Sequence, residues 1–161
     1  MTDMQTATIT DDEKARILQE RLKMGFNMVP FTQAMGLTIK EMSADKITAE
    51  FAMQPQLIGN VFKQVLHGGV IATALDTVGG AMAMSGAYVA LKGTPKEDRA
   101  TRINRLATID MRIDYLKAGR GTLFTATASL LRVGKQICVT RMELHNEKHE
   151  LIAAGTATYM Y

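Results

Sequence analysis

A single carboxylate, Asp76, stands inside a long apolar stretch that opens with His67-Gly68-Gly69 and continues through Val70-Ile71-Ala72 and Leu75 to Met84. A lone charge in such a run is costly unless it is paired, solvated or put to use. Two glycines at the start let the backbone approach a ligand closely, and the start of a helix leaves amide N–H groups without partners. An acyl carbonyl placed over those N–H groups, at the positive end of the helix dipole, would have its oxyanion stabilised as the carbon becomes tetrahedral. A carboxylate can take a proton from water or attack the carbonyl itself. Hydrolysis of an activated acyl group needs both features.

Spacing constrains how they cooperate. Eight residues separate Gly68 from Asp76, or about 12 Å along a helix at about 1.5 Å per residue. One reacting carbonyl cannot touch both, so a working site needs Asp76 of one subunit opposite Gly68 of another. In a monomer, Asp76 would be only a paired core carboxylate, and the glycines would serve only close packing of the helix. His67 lies just before the helix, where an imidazole bonds backbone and shapes the loop more readily than it transfers a proton. Asn60, in Gly59-Asn60, either orients a water or carbonyl or simply builds a turn.

The elements that must position these residues follow from the hydrophobic period. Asp11-Asp12-Glu13 charges the start of an amphipathic helix through Ile17, Leu18, Leu22 and Phe26, which Met28-Val29-Pro30-Phe31 ends. Strands are predicted over 37–42 and 46–53, the second with Ile47, Ala49, Phe51 and Met53 on one face. The apolar stretch from Gly68 reads as a buried helix. A charged connector over 92–105 follows, read as a solvated mobile loop, although its Lys92, Lys96, Arg99, Arg102 and Arg105 could meet phosphates. In the next strand Ile109, Met111, Ile113 and Tyr115 alternate with Thr108, Asp110, Arg112 and Asp114. Long strands over 123–133, 136–145 and 151–160 complete the chain, with gaps short enough for a four-strand antiparallel meander. The plan is α+β: a curved antiparallel sheet around a long central helix, preceded by an N-terminal helix. Residues 1–35 form a tail and helix, and 36–161 a single domain.

Composition narrows the class. At 161 residues, 47% hydrophobic and 22% charged, the chain can bury a full core. Its +3 charge suits an anionic small ligand but lacks the Lys/Arg clustering of a nucleic-acid binder. The stretch from Gly68 is long enough to span a bilayer, yet Gly, Ala, Thr and Ser dominate it, which favours a buried helix over a membrane span. Cys138 is alone in an alternating apolar segment, so no disulfide or cysteine metal cluster is expected. Residues 1–10 are polar and lack a signal core, which makes the cytoplasm the default location.

Gly59-Asn60, then Leu66-His67-Gly68-Gly69, with Asp76 nine residues after the His, resembles the hotdog-fold acyl-CoA thioesterases of the PaaI-like group. Thr108 to Leu116 followed by Gly119, and the ending Gly155-Thr156-Ala157-Thr158-Tyr159, are similar to that family's later strands. The likeness runs from about Gly36 to the end and is greatest to the YigI-like branch that acts on medium-chain acyl-CoA. It implies thioester hydrolysis without metal or cofactor, in a homodimer or dimer of dimers with the site at the subunit interface. Carried onto this chain, Asp76 is the catalytic carboxylate and Gly68 the oxyanion donor. His67 and Asn60 surround the thioester, and Thr108 assists the carboxylate or its water. The acyl tail would lie along the central helix, against Ala81, Met82 and Met84, and Gly69 would also contact the substrate. A binding module on the same fold would need no Asp76, and a hotdog dehydratase would use a His with an acidic partner.

Overall fold

In a computed structural model, which describes residues 10–161, six antiparallel strands curl around one long helix. Of the polar start read above, residues 1–9 lie outside the described residues. In chain order the elements are α1 (Asp11–Asn27), α2 (Pro30–Ala34), β1 (Thr38–Met42), β2 (Ile47–Ala52), a 3-10 turn (Pro55–Leu57), β3 (Ile58–Asn60) and β4 (Val65–Leu66). Then follow α3 (Gly68–Ala90), α4 (Lys96–Ile103), β5 (Ala107–Tyr115), β6 (Leu123–Val133), β7 (Ile137–Asn146) and β8 (Leu151–Met160). The sheet order is β1-β2-β6-β7-β8-β5, and β3 with β4 makes a separate two-stranded ladder.

Helix α1 starts with a capping box one residue before the acidic run: the Thr10 side chain accepts from the Glu13 N–H at 3.2 Å, and Glu13 accepts from the Thr10 N–H at 2.9 Å. The Thr10 N–H and hydroxyl, both donating to the Glu13 carboxylate, hold it below its usual range. At the other end Asn27 acts as a substitute strand residue. Its amide donates to the Ile39 carbonyl at 3.1 Å and its oxygen accepts from the Ile39 N–H at 2.7 Å. The open edge of β1 is thereby covered.

Helix α3 lies in the concave face of the sheet. Its small residues allow the approach: Ala74, Ala81, Ala83 and Ala87 are fully buried, alongside Leu75 and Val78. At Gly79 an added Cβ would collide with the Tyr159 hydroxyl. Opposite the helix, Phe51 and Phe124 face each other across β2 and β6 with rings stacked at 5.3 Å. By length and composition alone α3 would pass for a membrane span, but it is the core helix, with 67% of its most apolar window buried. Cys138 is buried too, its thiol directed at the Ala83 carbonyl at 3.5 Å, and burial pushes that thiol up to about 11.

Two expectations fail. The connector over 92–105 is not a mobile loop, because 96–103 form α4. Glu97 and Asp98 complement its first turn and Arg102 its last, while buried Ile103 anchors it. Arg102 donates to the Lys135 carbonyl and sits over the Tyr161 ring at 5.4 Å, so that cation is spent on docking the helix. Nor do the last four strands form one meander, since β5 pairs with β8 and not with β6. The residues 116–122 form a connection longer than a hairpin needs, and it crosses the ends of β7 and β8. It is pinned there by Leu116 N–H on the Ile152 carbonyl at 2.9 Å and by Asn146 on the Arg120 carbonyl at 2.9 Å. This crossing puts β5 at the sheet edge.

Candidate active site

The start of α3 is built locally. His67 is the N-cap residue, and its Nδ1 accepts from the Gly69 N–H at 2.9 Å, which requires that nitrogen to be unprotonated. The N–H groups of Val70 and Ile71 reach the His67 carbonyl at 3.0 and 3.3 Å. Among the described residues the Gly68 N–H has no partner. Of the first N–H groups of the helix, this one stays available for an oxyanion. Gly59 lies against the His67 backbone so closely that an added Cβ would stand 2.5 Å from the His67 Cα. The glycine of Gly59-Asn60 therefore serves contact between two backbones.

Two turns further on, Asp76 is half-buried, and two hydroxyls reach it. Thr108 donates to Oδ1 at 3.0 Å and Tyr159 donates to the same oxygen at 3.1 Å, the tyrosine also lying 3.2 Å from the Asp76 carbonyl. Burial, then the Asp76 charge, pushes the Tyr159 hydroxyl far above the usual phenol range, so it remains a donor. Both bonds fall on Oδ1, and Oδ2 takes none among the described residues. The carboxylate is thus held by one oxygen and offers the other. A pocket of about 220 Å³ opens beside it, bounded by Phe26, Val29, Gly80, Leu106, Thr108 and Tyr159.

A β-bulge is what delivers Thr108. Strict alternation puts Thr108 on the face opposite Ile109, Met111 and Ile113. The ladder between β5 and β8 instead pairs Thr108 with Tyr159 and then Asp110 with Thr158, leaving Ile109 as the extra residue. The phase resets there. Ile109 is 56% exposed, while Thr108 turns to the helix side with Met111 and Ile113, which pack on the core. Thr108 and Tyr159 are cross-strand neighbours, so two adjacent strands aim two hydroxyls at one carboxylate.

The remaining sequence candidates fall in different places. Asn60 Oδ1 accepts from the N–H groups of Phe62 and Lys63 at 3.1 and 3.0 Å, so its oxygen closes its own turn. Gly69 is exposed at the helix start, where its N–H is taken by His67. Ala81 and Met82 are fully buried between α3 and the sheet, whereas Met84 faces a pocket beside α1. Within one chain, Asp76, Thr108 and Tyr159 come together, and Gly68 stands apart from them with Tyr115, whose hydroxyl donates to the Gly68 carbonyl at 3.2 Å. The sequence reading missed both tyrosines as site residues. Tyr159 carried a signal: it occupies a core-facing position in β8, where a buried hydroxyl must find a partner. No group of three or more His, Cys, Asp or Glu among the described residues could hold a metal ion.

Comparison with known proteins identifies the family. The family model described as Thioesterase superfamily matches residues 63–153, which include α3 with Gly68 and Asp76. The medium/long-chain acyl-CoA thioesterase YigI of Escherichia coli K12 is 38% identical over 96% of this chain and 98% of its own length. The protein of the same name from Salmonella typhimurium is 39% identical over the same shares. A crystal structure from Shewanella oneidensis, of a protein described as related to the thioesterase superfamily, is 44% identical and superposes with a TM-score of 0.86 over 91% of this chain and 97% of its own. The chain is a member of the thioesterase superfamily, with its hotdog arrangement of sheet and helix.

Proposed function

We propose that this protein hydrolyses acyl-CoA thioesters of medium to long chain to the free acid and CoA, in a dimer that builds each site from two subunits. The observation that carries the reading is the Asp76 carboxylate, held on Oδ1 by Thr108 and Tyr159, with Oδ2 left without a partner among the described residues and the residue itself lining a pocket. The names of the relatives supply the substrate class.

The chemistry balances without a cofactor. In the general-base route Asp76 Oδ2 accepts a proton from water as its oxygen bonds to the thioester carbon. The Gly68 N–H of the facing subunit receives the oxyanion. Collapse of the tetrahedral intermediate breaks the C–S bond, and the CoA thiolate takes the proton back. In the nucleophilic route Oδ2 itself bonds to the carbonyl carbon, expels the thiolate, and water cleaves the resulting anhydride. The unpartnered outer edge of β5, with exposed Ile109 and Tyr115, supports pairing with a second copy. CoA as substrate and a buried, lone thiol at Cys138 both suit a reducing cytoplasmic setting.

The test is CoA thiol release from acyl-CoAs of graded length, for wild type and Asp76→Ala side by side. We expect hydrolysis by the wild type and a loss on the order of 10²-fold or more in the variant, the scale of removing an acid–base group. A folded wild type that releases no thiol from any acyl-CoA would end the proposal.

A further inference from the structure

Helices α1 and α3 lie side by side and antiparallel, and their residues meet in steps of one turn. Phe26 and Gly80 bound one pocket, Leu22 and Met84 the next, and Leu18 and Tyr88 a third. Between them runs a furrow. It begins in the pocket at Asp76 and continues into a mostly apolar pocket of about 280 Å³ bounded by Leu22, Gly25, Met84 and, as its one charged wall, Arg21, with Phe26 and Val29 as walls common to both. One turn beyond, a third pocket of about 440 Å³ is bounded by Leu18 and Tyr88 and ends among Lys14, Lys92 and Arg99.

Resting on the reading of acyl-CoA hydrolysis, we infer that this furrow holds the acyl chain and that Leu22 and Met84 measure its length. A thioester carbon at Asp76 Oδ2 has a polar, bulky CoA on one side and needs an apolar path for the chain on the other. The furrow is the apolar path that starts beside Asp76. Gly80 stands at its throat, where even an added Cβ would make only ordinary contact with the Tyr159 ring, at 3.6 Å. Ala81 and Met82, on the core side of the helix, have no such opening.

Geometry sets the scale. Met84 lies about 12 Å from Asp76 along the helix and Tyr88 about 18 Å. With carbon–carbon bonds of about 1.52 Å and angles of about 111°, an extended chain advances about 1.25 Å per carbon. The furrow therefore passes Met84 at about ten carbons and Tyr88 at about fourteen. Each methylene laid in it is worth roughly fourfold in kcat/KM. Past Tyr88 the cations return nothing for hydrocarbon, and the gain stops.

The chain contains no tryptophan, so Leu22→Trp both narrows the furrow and installs a fluorescent reporter in it. The first measurement is quenching of that tryptophan by octanoic acid carrying a terminal bromine, whose extended chain ends just short of position 84, reversed by unbrominated octanoic acid. The second is the ratio of kcat/KM for tetradecanoyl-CoA to that for hexanoyl-CoA in wild type, Leu22→Trp and Met84→Trp. We expect quenching, and a ratio at least about tenfold below wild type in both variants. Absence of quenching, or ratios within about twofold of wild type while hexanoyl-CoA is still cleaved, overturns the furrow and leaves the hydrolase reading standing. A wild type that cleaves none of these thioesters removes the hydrolase reading, and the furrow loses its ligand with it. If Met84→Trp does not fold, Leu22→Trp on the half-buried face of α1 decides the matter alone.

Discussion

The two candidate functional points on α3 are made in opposite ways. At Gly68 everything comes from within a few residues: His67 caps the helix, Gly69 is bonded to it, and the Gly68 N–H is left over. At Asp76 the helix supplies only the carboxylate. Its two hydroxyl partners come from positions 32 and 83 residues away, on two strands that meet only after the sheet has closed. A backbone donor tolerates this local construction because its direction follows from the helix axis. A side-chain carboxylate has rotational freedom, and long-range partners are needed to hold it.

The largest effect that would break the comparison removes each point separately. Gly68→Pro deletes the free N–H at the first helical position, where proline fits. It should lower kcat by about 10²–10³-fold, the scale of one oxyanion donor, with little change in melting temperature. Mixing this variant with Asp76→Ala then tests whether the points belong to one subunit. If each site joins Asp76 of one chain to Gly68 of its partner, each mixed dimer regains one intact site. Random reassociation should then restore about a quarter of wild-type activity. No recovery from refolded, dimeric mixtures would mean that the two points do not meet.

Tyr159→Phe sharpens the Asp76 side of the comparison. It removes one of two donors to Oδ1 while keeping the ring in the core. Loss of one hydrogen bond of about 0.5–1.5 kcal/mol should lower kcat up to about tenfold and leave KM nearly unchanged. An equal fall in kcat/KM through KM alone would show that the tyrosine shapes binding instead.

The smallest effect concerns a buried polar group on β7 that faces the same helix and has no catalytic use. Cys138 holds its proton to about pH 11 in the folded chain, against about 9 for an ordinary thiol. Its folded value is raised, so its contribution to stability is complete below pH 9 and is lost as pH climbs through 11. Denaturation midpoints measured from pH 8 to 11 should fall less steeply for Cys138→Ala than for wild type. Parallel curves would show that other alkaline groups set the slope.

Much of the frame was readable along the chain. Hydrophobic period and turn residues placed β6 and β8 at their observed bounds, and His-Gly-Gly placed the start of α3, because each depends on neighbours a few positions apart. The connector was misread for a related reason. Its charges suggested a solvated loop, but Arg102 docks on Tyr161 and Lys135, partners invisible to a local reading. The side of β5 on which Thr108 stands was misread as well, since a bulge is a property of a pair of strands.

Amphipathic period, the helix start and the lone carboxylate are written in the order of residues, since they rest on dihedral preference and on hydrophobicity alone. Which hydroxyls orient that carboxylate depends on the register of β5 against β8. So does the placing of β5 at an open edge, and the furrow beside Asp76 depends on how α1 docks. Those follow from how the whole sheet curls around α3, where pairings across 83 residues are chosen by the summed burial of both faces and by no short segment.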